Sequence, residues 1–264
     1  MPLDPPTSRL PSALLAAALL TASLAPALAA DAKAPDDWRF DAEIYGWAAG
    51  IGADLQRSGA AWIGFARLVD DLDMAFMGAF AASKDKWRFA ADVIYMDISE
   101  KDSAALTLPI GSGIPASASA RAELKAWILD PNVQYRFYDT DKLQLSALAG
   151  ARYLSIEGDV NRVVTTSSLG RVAGEVDGTK VWWDGLVGVS GQYNLTKRWY
   201  VPFLADVGTG DSRLTWQAGA AIGYHFNSVD AVFGYRHLAW DFKGGGALED
   251  LFVTGPYVGV KFSF

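Results

Sequence analysis

For acid-base or nucleophilic chemistry this 264-residue chain offers two histidines, His225 and His237, and no cysteine. A histidine serves as a general base when a carboxylate orients it and a hydroxyl stands within reach. His225 falls at a tight-turn end of its strand, and His237 shares the alternation of Tyr235, which turns it outward. Neither finds a Ser or Asp in its own layer of the pattern, so no catalytic residue and no enzymatic activity are expected. Asp70, Asp71 and Asp73 could supply oxygen ligands to a hard cation, although a solvated acidic rim is the commoner use of such a cluster. Gly208-Thr-Gly-Asp and Gly244-Gly-Gly share only glycine content with nucleotide loops, because no strand-to-helix context follows either. They read as turns, and neither a cofactor nor a metal is expected.

The larger constellation is ionic. Arg39, Arg88, Arg136, Arg152, Arg236 and Lys261 stand against Asp41, Glu43, Asp92, Asp130, Asp184 and Asp206, all on the polar side of alternating strands. Six positive charges meet six negative. In the interior of an eight- to ten-stranded barrel, which side chains nearly fill, such a set would pair, with Gln134, Gln144, Gln192 and Gln217 bridging. A buried charge without a partner is costly. The expected role is therefore mainly structural, with a charge-paired, largely closed lumen. A narrow channel for small or hydrophobic solutes is the alternative, and a barrel enzyme the third option.

The elements that would position these charges are strands. From Trp38 the chain reads Trp-Arg-Phe-Asp-Ala-Glu-Ile-Tyr, with Trp38, Phe40, Ala42 and Ile44 on one side and Arg39, Asp41, Glu43 and Tyr45 on the other. The same period-two pattern predicts ten strands, at 38–55, 73–83, 87–99, 121–138, 143–160, 179–193, 199–208, 212–226, 230–242 and 251–264. Polar turns of Asn, Asp and Ser join them at 83–86, 139–142, 194–198 and 227–230. Longer loops are expected at 56–72, 100–120, 161–178 and 243–250, all at the end opposite the turns and the termini, with a short loop at 208–211. Two sets of aromatics follow the same geometry. Trp38, Phe80, Trp87, Tyr135, Trp199 and Tyr224 gather near the turns, while Tyr95, Tyr153, Trp183, Trp216 and Tyr235 gather toward the loops, as interfacial belts do. A soluble β-sandwich with core aromatics is the rival, and it gives no reason for the asymmetry of turns and loops.

The last ten residues, Gly-Pro-Tyr-Val-Gly-Val-Lys-Phe-Ser-Phe, place Pro256, Val258, Val260, Phe262 and Phe264 on one face and end on an aromatic. This ending resembles the C-terminal signature of Gram-negative outer-membrane barrels, in which a final strand ending in Phe is read by the insertion machinery. The resemblance makes Tyr257, Phe262 and Phe264 the assembly signal. Val181-Trp-Trp-Asp-Gly-Leu-Val-Gly, Leu214-Thr-Trp-Gln-Ala-Gly and Gly234-Tyr-Arg-His-Leu look like the C-terminal half of a broad, mostly uncharacterised group of small outer-membrane barrel proteins, over about residues 180–264. Asp184-Gly185 departs from the Asp-Pro expected there. The resemblance implies an all-β, transmembrane, antiparallel up-and-down barrel of ten strands, with eight the alternative, in the bacterial outer membrane. It also implies outer-membrane lipid, lipopolysaccharide, the barrel-assembly machinery and periplasmic chaperones as partners.

The N-terminus fits that destination. Arg9 precedes an apolar run from Leu10 through Leu28, and Ala27-Leu28-Ala29 offers small residues at alternate positions, as a signal-peptidase site does. The expectation is a signal peptide over 1–29 and export through the secretory pathway, then a polar periplasmic lead over 30–37 and the barrel over 38–264. An uncleaved membrane helix is the rival for the first segment. After Ala30 no apolar stretch has helical spanning length, and the net charge of -7 argues against nucleic acid as a partner. One loop is unusual: Trp62, Ile63 and Phe65 make an apolar patch in 56–72. It would either extend the hairpin above the membrane or fold across the barrel mouth as a ligand patch.

Overall fold

The computed structural model describes residues 37–55, 59–70, 72–108, 114–166, 170–244 and 248–264. The expected signal peptide over 1–29 lies outside the described residues, as does the polar lead except for Asp37. The described chain is one antiparallel sheet that closes on itself. Its elements are β1 (Arg39–Trp47), β2 (Gly50–Leu55), β3 (Gly59–Ile63), α1 (Phe65–Asp70), β4 (Leu72–Lys84), β5 (Trp87–Leu108) and β6 (Ile114–Asp139). There follow β7 (Leu143–Thr166), β8 (Gly170–Asn194), β9 (Trp199–Gly210), β10 (Ser212–His225), β11 (Val229–Phe242) and β12 (Leu248–Ser263).

Neighbours in sequence are neighbours in space from β4 through β12, and β1 pairs with both β4 and β12 to close the ring. The barrel thus has ten staves, as the alternation predicts. The stave expected over 38–55 is in two pieces. β1 lies along the turn-proximal half of β12, from Asp41↔Ser263 to Trp47↔Tyr257, and β2 lies along its other half, from Gly50↔Thr254 to Leu55↔Leu248. Between them the Ala48 N–H still donates to the Pro256 carbonyl at 2.9 Å. A Cβ on Gly255 would sit 2.8 Å from the Ala49 Cα, so the backbones can approach there only because residue 255 has no side chain.

The tight turns stand where their chemistry puts them. Asp85 and Asn227 hold positive φ angles of 53° and 55°, the left-handed region that Asp and Asn tolerate best among residues with a side chain. Thr140 closes its own turn, accepting the Leu143 N–H at its hydroxyl (3.1 Å).

Two of the expected long loops are strands instead. β5 runs on to Leu108 and β6 begins at Ile114, while β7 runs to Thr166 and β8 begins at Gly170. The ladder continues unbroken to Leu108↔Ile114 and to Thr166↔Gly170. Pairing needs only backbone groups and extended residues, not the apolar stripe that marks a lipid-facing segment, so the strands outlast the pattern by which they were found. β5 to β8 are 22 to 26 residues long, against 12 to 14 in β9, β10 and β11. About 9–11 residues suffice to span a hydrocarbon core. The surplus of roughly ten residues raises a four-stranded wall about 30 Å above one side of the barrel, at ~3.3 Å per residue.

The loop expected over 56–72 folds as β3, paired with β2 from Ile51↔Ile63 to Leu55↔Gly59, followed by the single turn of α1. The Trp62 patch thus lies in a hairpin that extends β2.

Candidate functional site

The inward faces of the staves build three stacked layers. Nearest the turns, Asp41 accepts from Arg88 Nη1 at 2.5 Å and from Ser263 Oγ at 2.8 Å. Beside this pair Asp230 takes the Tyr200 hydroxyl at 2.6 Å, the Lys261 ammonium at 2.9 Å and the Nδ1 edge of His225. Lys261 also lies 5.0 Å from the Tyr200 ring centroid, within cation-π range. Tyr200 can lie flat here because a Cβ on Gly223 would strike its ring.

The middle layer is centred on two guanidinium groups. Arg152, with no solvent exposure, donates from Nε to Asp130 (2.9 Å), from Nη2 to Asp206 (3.0 Å) and from Nη1 to the Thr215 hydroxyl (2.9 Å). Arg236 donates to Asp92 Oδ2 at 2.5 Å and to Gln217 Oε1 at 3.0 Å, and its Nη2 lies 3.4 Å from Asp130. Gln217 passes its own amide to Asp206 at 2.5 Å, and Tyr45 donates to Asp92 at 2.6 Å. The network therefore crosses the interior, joining β1, β5, β6, β7, β9, β10 and β11. Each guanidinium also lies over an indole, Arg152 over Trp240 at 5.9 Å and Arg236 over Trp47 at 5.2 Å.

Toward the loops the inner face turns apolar. Trp47, Ile94, Ile128, Leu154, Leu238, Trp240, Leu251 and Val253 are buried against one another, with Phe242 and the partly buried Trp182 at the top. Their rings are 4.6 Å apart. Alternation concealed this layer, because here both faces of each strand are apolar: Ile94 is buried while Tyr95 faces out, and Trp182 points in while Trp183 is exposed.

The sequence-derived charge set is mostly inside, with two exceptions and one omission. Arg39 is exposed at the turn rim. Arg136 sits at the same rim, donating to Asp139 at 2.8 Å and to the Asp85 carbonyl at 3.0 Å. A bulge between Arg136 and Tyr138 leaves Phe137 and Tyr138 both exposed, a break in period that residue types alone do not announce. Asp230 is the omission. Placed where the 227–230 turn meets the 230–242 strand, it belongs to β11, and its spacing from Arg236 by an even number of residues is the signal that sets it on the inner face. Among the described residues, the cations below the rim are Arg88, Arg152, Arg236 and Lys261, and the carboxylates are Asp41, Glu43, Asp92, Asp130, Asp184, Asp206 and Asp230. Four positive charges thus meet seven negative, so the expected six-to-six balance becomes an acidic excess. Asp184 is 2 % exposed and accepts the Ser212 N–H at 2.9 Å through Oδ1. Among the described residues, its Oδ2, the Ser212 hydroxyl and the Trp240 indole N–H are buried without a hydrogen-bond partner.

Of the four glutamines, Gln217 bridges the inner charges and Gln144 reaches only rim Asp139 (3.1 Å). Gln134 and Gln192 donate to Asn132 and Asn194. His225 does have a carboxylate neighbour, contrary to expectation, since the strand register sets Asp230 opposite it. His237 faces outward as its parity requires, stacked 4.6 Å from Trp216 and 5.8 Å from Phe252. Trp62 extends that outward row, 5.6 Å from Phe252, with Ile63 and Phe65 also exposed. Asp70 and Asp73 are exposed, and Asp71 lies outside the described residues. At the C-terminus Phe264 is 63 % exposed and stacks on Phe40 at 5.9 Å, while Tyr257 turns inward, edge-on to Tyr45. Phe262 is half-buried opposite Ala42.

No family model matches the chain, and no curated protein does. Among solved structures it is similar to the outer membrane protease OmpT of Escherichia coli, at 11 % identity over 87 % of this chain and 97 % of that one, TM-score 0.45. It is also similar to the translocator domain of autotransporter NalP of Neisseria meningitidis (15 %, 86 % and 88 %, TM-score 0.40). A third is the P. putida toluene transporter TodX (12 %, 87 % and 90 %, TM-score 0.31). These proteins differ from one another in role and lend this interior no chemistry.

Proposed function

We propose that this chain is an integral outer-membrane β-barrel whose lumen is sealed, acting as a membrane-embedded structural scaffold rather than as an enzyme. The observation that carries the reading is Arg152, wholly buried and tied at once to Asp130, Asp206 and Thr215. A guanidinium held on three sides in mid-lumen occupies space a solute would need, and the buried apolar layer above it disfavours water. The outward face supports lipid as its solvent: Ile44, Val187, Phe233 and Val258 are each more than 60 % exposed, and isolated in water such a band would drive aggregation. The aromatics at both ends lie where bilayer interfaces collect them.

Planar-bilayer recording of the refolded barrel tests the reading. It should show no conductance steps, and porin-sized steps would refute the seal. A narrow channel remains the second reading because the inner charges have an acidic excess, and in that case small steps would favour cations. The outer-membrane location is tested by fractionation, together with the heat-dependent gel shift of a folded barrel. Recovery as a soluble periplasmic monomer would overturn it.

A further inference from the structure

The unequal strand heights leave a notch in the loop-end rim. β9 makes its last pair with β8 at Asp184↔Gly210, whereas β8 continues upward to Gly170. Above that low sill lies a cavity of about 440 Å³, within the range that small ligands occupy. Its apolar wall is the top of the inner layer, made by Trp182, Phe242 and Leu248. Lys180 and Lys243 stand exposed at its opening, and Lys243 is steadied by a hydrogen bond to the Gly210 carbonyl.

Among the described residues no strand pairs with β8 on the β9 side beyond Asp184↔Gly210, and that edge adds donors. Trp183 directs both its N–H and its carbonyl to the β9 side, where they meet Asp211 at 2.8 and 2.9 Å. In an antiparallel strand, residues two apart send these groups to the same edge. Val181 and Thr179, both lining the cavity, therefore turn their N–H groups into the notch. Two of the acids beside it are engaged: Asp211 accepts from Trp183, and Asp241 pairs with Arg213 at 3.3 Å; Glu157, opposite Thr179, and Glu249, next to Leu248, are exposed. In a chain of net charge -7 this is a local concentration of donors and positive charge beside an aromatic wall.

We propose that the notch binds an amphipathic anion, a carboxylate, sulfate or phosphate head carried on a short apolar chain or ring. The head sits between Lys180, Lys243 and the β8 edge, and the apolar part lies on Trp182 and Phe242. Charge-assisted hydrogen bonds fix the head, and the buried wall supplies the rest. The site goes beyond the sealed scaffold and does not depend on it, since the cavity lies at the top of the inner apolar layer, above the charges that fill the lumen.

The test is equilibrium dialysis of octanoate and of 1-octanol against the barrel in phosphatidylcholine nanodiscs. Octanoate should bind saturably and more tightly than octanol. K180Q/K243Q should weaken octanoate about tenfold or more while leaving octanol unchanged, and W182A should weaken both. Lys84→Gln, at the opposite end of the barrel, should change neither. The gel shift on heating confirms that each variant is folded, and the lysine changes are at exposed positions. Unsaturable octanoate uptake, or octanoate affinity unchanged in K180Q/K243Q, would overturn the proposal. With phosphatidylglycerol added to the disc, displacement of octanoate assigns the head to a membrane lipid, and undisturbed binding assigns it to a free anion.

Discussion

Arg152 on β7 and Asp206 on β9 are hydrogen-bonded at 3.0 Å with a whole strand, β8, lying between theirs. The bond is a chord of the barrel's cross-section, so it braces the ring instead of merely reinforcing a seam. Asp206 lies directly opposite Gly188 in the intervening strand. A side chain at residue 188 would press on the Asp206 Cβ, so the bare backbone there leaves the carboxylate free to reach over.

Arg152→Met should expose the cost of that brace. It leaves Asp130 and Asp206 buried without their principal cation, a loss of about 3–5 kcal/mol. Denaturant unfolding in lipid should show it as a lowered midpoint. The triple change Arg152→Met, Asp130→Leu, Asp206→Leu should recover much of the stability, because no unpaired charge is then left in the interior. A single variant as stable as the parent would mean that water already solvates this layer.

The seal has two levels, and removing one should not open it. Arg236→Ala empties part of the ionic layer but leaves Leu238, Trp240 and Ile94 in place above, so bilayer recordings should stay silent. Combining it with Trp240→Ala should give small, cation-preferring steps, because Asp92, Asp130, Asp184 and Asp206 would then line the path. Large steps from Arg236→Ala alone would show that the apolar layer does not close the lumen.

Glycine substitutions should sort by what a Cβ would meet. At Gly188 it meets the Ala205 carbonyl and the Asp206 Cβ at 2.6 Å, and at Gly150 the Asn132 Cα at 2.9 Å. Backbone cannot give way as a flexible side chain can, so Gly188→Ala and Gly150→Ala should each cost about 1–3 kcal/mol. Gly46→Ala and Gly158→Ala meet nothing within 4 Å and should change stability by less than about 0.5 kcal/mol. Refolding yield and unfolding midpoint of the four variants, measured side by side, check the ranking.

The Tyr200, His225 and Lys261 cluster around Asp230 should be structural. Asp230→Asn should lower the unfolding midpoint, since it removes the charge the three share and turns one of the two acceptor oxygens into an NH2 that faces donors. His225→Ala should have a smaller effect, because its side chain is 47 % exposed. An equal loss from both would assign the main role to the histidine.

Strand count and closure were legible because staves with an apolar outer face and a polar inner face alternate and because Asp85, Asn227 and Thr140 mark their turns. The tall wall was not, since the ladder continues where the alternating stripe stops. The inner apolar layer was hidden for the opposite reason: Ile94-Tyr95-Met96 and Trp182-Trp183 are greasy on both faces, so no period distinguishes inside from outside. Within the ionic set, pairing was readable from parity, but partner choice was not. That Arg152 reaches over β8 to Asp206 depends on the curvature of the closed ring, which no one-dimensional pattern contains.

The clasp formed by β12 has a further consequence for biogenesis. One C-terminal strand holds β1 with half its length and β2 with the other half, at sequence separations of about two hundred residues. The other seams join strands much nearer in sequence, by direct hairpins except where β1 meets β4 across β2, β3 and α1, but this one must wait for β12. Until then the N-terminal strands present an open template, so whatever protects a nascent barrel from aggregation has to guard that edge longest.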